Sequence, residues 1–488
     1  MRTGADYIAS LSDDRSIYVD GERVADVATH PAYRGVVRTV ASLFDHAADP
    51  ANGMQFEAGD IPGPLNRVFM IPRSREDLAA RREAITAWAE LTHGWVGRSP
   101  DHVGGFLAGF AGFPEFFDRD GRDFSQNVTD FYRRLVTENL YVSYVIIPPQ
   151  IDRSATPSSL EDEFPQVGVA EEREDGIVIR GAQMLGTASA ISDYIFVSCI
   201  KPLAESDERY AVSFVVPTAS KGLKLLSRRP YAVDLPSEFD YPLSSRFDES
   251  DALVTFEDVF VPWSDVFVYR DVGGTMGQWF ATAAHVLGNS QAQIRLVAKI
   301  KFLISLARKI AAVNGIDRIP SVVEKLGELA SLAAVVEGMT VAAEAECVID
   351  ANGVARPNPR YLYGVMGLQA ELYPRCLSIL RELSGAGMIQ LPATFRDVSA
   401  PETAQLVQRY ICSPGVDAEE RIKLFKLAWD AVGSEFAGRH HQYEMFYAGA
   451  PFVSKGYAYR NYGYDEVVED LDRFLRSYGA PVSTAPAS

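Results

Sequence analysis

The sequence changes its periodicity at one point, and that change constrains the fold more than any other feature. Residues 252–263 read ALVTFEDVFVPW and alternate apolar with polar side chains, many of them β-branched or aromatic. This pattern predicts a half-buried strand that ends at Pro262, after an ordered polar loop over residues 240–251. Beyond the proline, long segments with apolar residues at helical spacing replace short strands and turns. A β module therefore ends here and a helical module begins, and such a junction is a common place for a ligand cleft.

The remaining chain divides by pattern into three predicted domains and a tail. Residues 1–140 predict mainly helices, one of them with Ser74 as its N-cap, and a hairpin that turns at Asp20-Gly21. Residues 141–270 predict a compact, mostly antiparallel β domain. Residues 271–475 contain four long amphipathic segments, at 291–315, 322–350, 371–386 and 418–446, which favour a four-helix bundle. Residues 476–488 are small and polar, and we expect a disordered tail.

The charge and the cysteines exclude several classes of function. The net charge of −18 argues against nucleic acid or an anionic membrane as a partner. The four cysteines are widely separated and form no CxxC pair, which fits a reducing compartment and argues against a zinc ribbon. We find no signal-peptide pattern and no apolar run long enough to cross a bilayer, and therefore expect a cytoplasmic protein.

Several segments together resemble one known family. They are TGADYIASLSDDRSIYVDGERVADVATHPAY, GWVGRSPDH, PPQIDRS, YPLSSRFDESDALVTFEDVFVPWSDVFVYRD and KLFKLAWDAVGSEFAGRHHQYEMFYAG. They are spread over nearly the whole chain, and they resemble the oxygenase component of the 4-hydroxyphenylacetate 3-monooxygenase family. The resemblance implies an α+β, acyl-CoA-dehydrogenase-like fold: an N-terminal helical domain, a central antiparallel β domain and a C-terminal four-helix bundle. It also implies a homo-oligomer, usually a tetramer.

The resemblance further implies a two-component flavin-dependent monooxygenase. In that chemistry a separate NAD(P)H:flavin reductase supplies FADH2, which reacts with O2 to give a C4a-hydroperoxyflavin that hydroxylates an aromatic, usually phenolic, substrate. The substrate could be free or tethered to a carrier. The sequence has no GxGxxG between a strand and a helix and no P-loop, as expected if a partner supplies the electrons.

Arg98 in GWVGRSPDH is the first candidate catalytic residue. It lies between Gly97 and Pro100, which predicts a bend in the backbone. It could be a surface arginine at a helix start, or a cation that binds and polarises a phenolate oxygen. The resemblance favours the second role, because the family has an arginine here that contacts the substrate hydroxyl.

His102 and Tyr144 are the other catalytic candidates, and their residue types are exchanged relative to the family. The family's phenol hydroxylases usually have a tyrosine at the position of His102 and a histidine at that of Tyr144. If both face one pocket, His102 could be the base or hydrogen-bond partner and Tyr144 a second donor, because an imidazole can take a phenol proton near neutral pH. Equally, the pocket could be rebuilt for another substrate, with neither residue handling a proton.

The segment 148–159, PPQIDRSATPSS, is the main flavin candidate. A Pro-Pro turn holds its backbone rigid, and polar side chains follow that could hydrogen-bond the negatively charged edge of reduced flavin. The alternative is a capped turn between domains. The resemblance adds residues near 187 and 447–449, while Ser244, Ser245 and Arg246 are weaker candidates. The predicted flavin contacts are Gln150, Ile151, Asp152, Arg153, Thr156, Thr187, Tyr447, Ala448 and Gly449.

Two further motifs favour structural roles. Gly104-Gly105 lies in an apolar segment and predicts close helix packing rather than phosphate binding. His440 and Glu444 have the spacing of metal ligands on a helix, but a solvated or inter-subunit helix face is the better interpretation, and we expect no metal site.

Two other classes of function remain open from the sequence. One keeps the fold and changes the reaction, as in the related 4-hydroxybutyryl-CoA dehydratases, which need Cys and His ligands for an iron–sulfur cluster. The other is a non-enzymatic binding scaffold, because a fold does not by itself imply catalysis.

Overall fold

The structure is a computed structural model that describes residues 1–119 and 121–479. Most of the predicted disordered tail, residues 480–488, lies outside the described residues. The helices are α1 (Gly4–Ser10), α2 (Arg34–Ala48), α3 (Arg75–Leu91), α4 (Pro100–Ala111), α5 (Ser125–Glu138), α6 (Ser244–Phe247), α7 (Val272–Phe280), α8 (Ala284–Val313), α9 (Pro320–Ala345), α10 (Pro359–Ser384), α11 (Arg396–Ser399), α12 (Ala404–Tyr410), α13 (Ala418–Val432), α14 (Glu435–Phe446), α15 (Pro451–Asn461) and α16 (Tyr464–Arg476).

In the described residues, the strands form two main sheets and three small hairpins. The strands are β1 (Ser16–Val19), β2 (Glu22–Arg23), β3 (Gln55–Ala58), β4 (Ile61–Asn66), β5 (Asp118–Arg119), β6 (Arg122–Asp123), β7 (Val142–Val145), β8 (Gly168–Glu172), β9 (Gly176–Gln183), β10 (Tyr194–Val197), β11 (Val212–Pro217), β12 (Leu223–Ser227), β13 (Ala252–Pro262), β14 (Val266–Tyr269), β15 (Val348–Ile349) and β16 (Ala355–Arg356). One sheet has the order β2-β1-β12-β13-β9-β8, and the other has the order β14-β11-β10-β7.

The predicted strand over residues 252–262 is confirmed as β13, and it lies inside the larger sheet. It pairs antiparallel with β12 on one side and with β9 on the other. Val254, Phe256, Val259 and Val261 are buried, and most residues between them are exposed or half-buried. The register shifts between Phe256 and Val259, so the strand keeps its apolar face inward on both sides of a bulge.

The polar loop before β13 is ordered, as predicted, and part of it is buried. It contains the one-turn helix α6, and Asp248, Glu249 and Ser250 are all buried. Buried carboxylates need partners, and these come from arginines elsewhere in the chain, as described below.

The local predictions for the N-terminal region are confirmed. Ser74 caps α3 in a capping box with Asp77, and β1 and β2 form the predicted hairpin. The hairpin also joins the larger sheet, because Ser16–Tyr18 pair in parallel with Lys224–Leu226. Since this pairing crosses the predicted boundary near residue 140, the division into three domains stays a prediction.

The C-terminal region contains the predicted bundle, with two corrections. The helices α8, α9 and α10 pack against one another, and α10 also packs against α13 and α14. The segment 418–446, predicted as one helix, forms two helices. The first ends at Gly433, and Ser434 caps the second, α14. Residues 348–349, predicted as helix, form β15 instead.

The expectation that no apolar run could cross a bilayer was wrong by length and composition. Among the described residues, α9 alone passes that test, with a mean hydropathy of 1.4 over its best window. In the structure it packs against α8 and α10 within the bundle. Bundle helices in water-soluble folds pass the same test, so composition alone does not decide how α9 is used.

The close approach of α4 and α8 depends on glycine, as the sequence predicted for Gly104-Gly105. A Cβ on Gly105 would lie 3.1 Å from the carbonyl oxygen of Leu287, and one on Gly109 would lie 2.3 Å from the Cα of Ala284. A Cβ on Gly288 would meet the ring of Phe106 at 2.5 Å. These glycines bring two helices together that carry residues of the candidate site.

We predict that Gly109→Ala lowers the free energy of unfolding by about 1–3 kcal/mol, the usual cost of overpacking a core. The added methyl would press on backbone atoms of α8, which cannot turn aside as a side chain can. The control is Gly327→Ala in α9, because Gly327 is exposed and the place its new methyl would take is open space. There we expect a gain of about 0.5–1 kcal/mol. Equal stability of the two variants in urea denaturation would contradict the close packing.

Candidate active site

The three predicted catalytic residues lie side by side at the candidate pocket. Arg98 precedes α4, His102 lies in its first turn, and Tyr144 lies on β7. The Nη1 of Arg98 is hydrogen-bonded to the Nε2 of His102, and its guanidinium carbon lies 5.2 Å from the ring centroid of Tyr144. The rings of His102 and Tyr144 have centroids 5.5 Å apart. The two positions with exchanged residue types therefore face each other.

The backbone of Arg98 is held by buried polar contacts. Its N–H donates to Oε1 of Glu249 at 2.6 Å, and its carbonyl accepts from the hydroxyl of Tyr141 at 2.6 Å. Its Nη2 donates to the carbonyl oxygen of Tyr447 at 3.1 Å, which joins the pocket to the predicted flavin residues near the C-terminus. The guanidinium is thus oriented from both ends.

Tyrosine rings surround the Arg98 guanidinium. Besides Tyr144, the rings of Tyr443 and Tyr447 have centroids 5.2 and 5.9 Å from its central carbon. Gly97 allows this approach, because a Cβ there would lie 2.5 Å from the hydroxyl of Tyr443. Among the described residues that hydroxyl has no hydrogen-bond partner although it is buried, so it can donate to a bound group.

A ring of buried charges supports the pocket behind Arg98. Arg439 donates to Oε2 of Glu249 and makes two hydrogen bonds to Asp251, at 3.0 and 2.7 Å. Arg228 donates to Asp251 as well, at 2.8 Å. Burial would raise the pKa of Asp251, but the charges of Arg439 and Arg228 hold it far below its usual range. The loop that carries Glu249 is therefore fixed by paired charges.

Thr187, a predicted flavin contact, uses its hydroxyl hydrogen within the protein. The hydroxyl donates to Oδ1 of Asp251 at 2.6 Å. A hydroxyl has one hydrogen and two lone pairs, so Thr187 can only accept from a ligand N–H.

His102 is a neutral imidazole in this environment. It is fully buried, and its Nδ1 lies 3.1 Å from Oε1 of Gln291. Burial, and after it the charge of Arg98, lowers the pKa of His102 well below its ordinary value. A neutral imidazole that carries its hydrogen on Nδ1 can accept one hydrogen bond at Nε2.

The interpretation of His440 and Glu444 as a solvated or inter-subunit helix face was wrong, because both side chains are 1% exposed within the single chain. Glu444 is buried and accepts from Arg295 at 2.6 Å, from Lys299 at 2.8 Å and from Gln369 at 2.7 Å. Lys299 donates to Nδ1 of His440 at 3.0 Å. Among the described residues, no group of His, Cys, Asp or Glu has an arrangement that could hold a metal ion. The pair belongs to a charge cluster beneath the tyrosines that face Arg98.

The predicted flavin segment lies on the surface of the described chain. Gln150, Ile151, Asp152, Arg153 and Thr156 are all exposed, and Ile151 is 62% exposed. Local hydrogen bonds still hold the segment. The carboxylate of Asp152 accepts from the backbone N–H and from the hydroxyl of Ser154, and the ammonium of Lys201 donates to the carbonyl of Ala155 at 3.1 Å. Its donors are therefore free to meet a ligand or a second chain.

The C-terminal flavin candidates lie closer to the pocket. The hydroxyl of Tyr447 accepts from Nε2 of Gln293 at 2.5 Å. Ala448 is half-buried, and the exposed Gly449 has φ of +93°, a conformation that glycine adopts readily. Ser244, a weaker candidate, donates to the buried Asp430 and so serves the loop rather than a ligand.

Sequence reasoning missed several residues of this site. Arg439 and Tyr443 were missed, although they stand four and eight residues before the predicted Tyr447, a spacing that puts all three on one side of a helix. Glu249 and Gln291 gave no local signal, because each acts on a residue far away in the chain.

Most of the chain matches one protein family. Residues 3–268 match the family description "4-hydroxyphenylacetate 3-hydroxylase N terminal", and residues 275–476 match "4-hydroxyphenylacetate 3-hydroxylase C terminal". The chain belongs to this family. The predicted fold and the predicted class, the oxygenase component of a two-component flavin-dependent aromatic hydroxylase, are therefore confirmed, and such a component works with a separate reductase.

Named relatives and solved structures agree with this class. The chain is 35% identical to the 4-hydroxyphenylacetate 3-monooxygenase oxygenase component of Pseudomonas aeruginosa, covering 92% of this chain and 86% of that one. It is 34% identical, over 92% and 85%, to a Streptomyces globisporus monooxygenase that acts on a (3S)-3-amino-3-(3-chloro-4-hydroxyphenyl)propanoyl group on a peptidyl carrier protein. A crystal structure of a 4-hydroxyphenylacetate 3-monooxygenase oxygenase component with FAD and 4-hydroxyphenylacetate has a TM-score of 0.92 at 33% identity, covering 98% and 99%. An archaeal 4-hydroxybutyryl-CoA dehydratase at 22% identity, with a TM-score of 0.89 over 100% and 97%, shares the fold alone.

We predict that Glu444→Gln lowers the free energy of unfolding by about 3–5 kcal/mol, because it leaves Arg295 and Lys299 as buried charges without their anion. Burial opposes ionisation, but Arg295 and Lys299 lower the pKa of Glu444 to about 2. A folded-state pKa below the unfolded value adds stability above about pH 4.5, and this is lost as pH falls toward 2. The difference between variant and wild type, measured by denaturation at pH 7 and pH 3, should therefore shrink at the lower pH.

The control for this variant is Glu435→Gln on the same helix, where an exposed Glu435 pairs with an exposed Arg229. Its effect should stay within about 0.5 kcal/mol. A loss at Glu444 no larger than that at Glu435 would contradict the buried charge cluster.

Proposed function

We propose that the pocket of Arg98, His102 and Tyr144 binds a phenol and orients it for hydroxylation. The observation that carries this proposal is one permanent cation beside one neutral acceptor, in a pocket walled by aromatic rings. The ring of a phenol can pack against these aromatic side chains, and its oxygen can hydrogen-bond to both Arg98 and His102. The exact phenol, whether free or carrier-bound, is set by parts of the cleft beyond these three residues.

Each pocket residue has a separate task in the proposed reaction. The Nε2 of His102 accepts a hydrogen bond from the substrate hydroxyl. The guanidinium of Arg98 binds the negative charge that develops on that oxygen, which makes the ring carbons more electron-rich. Tyr144 packs beside both residues and positions the substrate ring. The aromatic walls keep water away from the reacting atoms.

Reduced FAD is the cofactor, and it supplies the activated oxygen atom that the ring receives. The residues of this chain fit the group: an unpartnered buried hydroxyl on Tyr443, an accepting hydroxyl on Thr187, and exposed donors on the segment from Gln150 to Thr156. Arg153 would carry the positive charge toward the flavin. Tyr447, Ala448 and Gly449 would bring backbone groups close to it.

The chain is proposed to act as a homo-oligomer, with a tetramer as the expected form. Helix α16 exposes a continuous apolar face, where Val468, Leu471 and Phe474 are 51%, 54% and 64% exposed. An exposed apolar face of this kind calls for a protein partner, and a second copy of the chain would cover it.

The proposed location is the cytoplasm. The four free cysteines fit its reducing conditions, and the net charge favours neither nucleic acid nor an anionic membrane as a partner.

We predict that Arg98→Ala lowers the rate of hydroxylation by about 30- to 1,000-fold, equivalent to about 2–4 kcal/mol for one lost charge-assisted contact. Binding of FADH2 should change little. The measurement is product per FADH2 and single-turnover rate with a panel of 4-substituted phenols. Arg229→Ala, on an exposed arginine that pairs with Glu435, is the matched control. An unchanged rate for Arg98→Ala would exclude this pocket as the phenol site.

We also predict that Arg153→Ala raises the dissociation constant for FADH2 and increases the release of hydrogen peroxide. Loss of one exposed charged contact should weaken binding by about 3- to 10-fold. The experiment is an anaerobic FADH2 titration together with a peroxide assay, and Arg180→Ala, in an exposed pair with Asp258, is the control. If both quantities match the wild type, the flavin lies elsewhere.

A further inference from the structure

A buried chain of hydrogen bonds leads away from His102 into the protein. The Oγ of Ser99 donates to Oδ1 of Asp101 at 2.5 Å, and Nε2 of Gln291 lies 3.2 Å from the same oxygen. Oε1 of Gln291 then lies 3.1 Å from Nδ1 of His102. All four side chains are buried, with Asp101, His102 and Gln291 each 1% exposed. Solvent therefore does not compete for these bonds.

The chemistry of these groups decides which atom is donor and which is acceptor in each of these hydrogen bonds. Oδ1 of Asp101 accepts hydrogen bonds, so the NH2 end of Gln291 must face it. The carbonyl end of Gln291 must then face His102, and a carbonyl can only accept. Nδ1 of His102 therefore carries the hydrogen, and its Nε2 keeps the lone pair that points at Arg98.

We propose that Asp101 and Gln291 are positioning residues that hold His102 as the Nδ1–H tautomer. This tautomer keeps Nε2 as an acceptor, toward Arg98 in this structure and toward the substrate hydroxyl when a phenol binds. This inference rests on the proposed function of the pocket. Neither residue touches the substrate, and each acts through His102. With the opposite tautomer, Nε2 would donate a hydrogen, and neither Arg98 nor a phenol O–H could give one to it.

Two further features keep the chain in place. Asp101 lies on α4 and Gln291 on α8, the two helices whose approach depends on Gly105, Gly109 and Gly288. Burial raises the pKa of Asp101. Because Oδ1 already accepts two hydrogen bonds, a proton would add to Oδ2, and the contact with Gln291 keeps its direction in both charge states.

The tautomer can be read directly from ¹⁵N NMR of the full-length protein labelled at histidine. The chain has seven histidines, and the signals of His102 are identified by their absence in a His102→Gln variant. In wild type we expect a protonated Nδ1 and an unprotonated Nε2 from pH 6 to pH 9. Asp101→Asn should populate the other tautomer. An asparagine NH2 can donate to Oε1 of Gln291, so the Gln291 amide can flip and present its NH2 group to Nδ1 of His102. A wild-type spectrum with a protonated Nε2 would overturn the proposal.

The kinetic test separates positioning from mere structural support. Asp101→Asn and Gln291→Leu should lower the single-turnover rate of phenol hydroxylation by about 10- to 100-fold, the scale seen when a histidine loses its orienting partner. KM for the phenol and the dissociation constant for FADH2 should change less than about threefold. The control is Asn289→Ala, a buried amide two residues earlier on α8 that donates only to the carbonyl of His285.

The NMR and kinetic measurements together decide whether Asp101 and Gln291 position His102. Should Gln291→Leu fail to fold, Asp101→Asn, which keeps the side-chain shape, carries the test alone. Wild-type tautomer and rate in Asp101→Asn would overturn the proposal. If the tautomers behave as expected but wild type hydroxylates no phenol, the proposed function fails while the positioning of His102 stands.

Discussion

The close approach of α4 and α8 is the constraint on which the pocket depends. Glycines at 105, 109 and 288 leave no room for a methyl group, so the backbones of the two helices set the distance between His102 and Gln291. A tightly packed helix pair resists small displacements, because its atoms are at van der Waals contact on both sides. The packing of α4 against α8 therefore sets the hydrogen-bond geometry at His102.

Buried charge supports the opposite wall of the pocket. Arg439 with Glu249 and Asp251, and Arg295 with Lys299 and Glu444, form two clusters. The guanidinium groups of Arg439 and Arg295 both lie near the ring of Tyr443, at 4.9 and 5.6 Å from its centroid. Such clusters contribute little net stability compared with apolar packing, but removing one partner is costly because a charge is left without compensation. Their value here lies in fixing where each aromatic ring and each backbone donor stands.

Local patterns predicted the fold well and the site in part. The Ser74 cap and the strand 252–262 depend on neighbouring residues, and both formed as predicted. The break at Gly433 was missed because helical periodicity continues on both sides of it. Burial of the loop at 248–251 could not be seen, because Asp251 is neutralised by Arg439, 188 residues away. Arg98, His102 and Tyr144 were found through resemblance, whereas the partners that tune them come from distant segments.

The low pKa of His102 has a consequence for which phenols this site would prefer. Because Arg98 is always charged and His102 is neutral throughout the physiological range, the pocket itself has no ionisation step to complete before it can bind. The state of the bound oxygen then follows from the substrate's own acidity. Ring substituents that withdraw electrons make a phenol more acidic, so it reaches the pocket already as an anion and needs nothing from His102. Electron-rich phenols arrive protonated and rely on that imidazole. Selectivity between the two groups would be governed by acid strength before it is governed by shape.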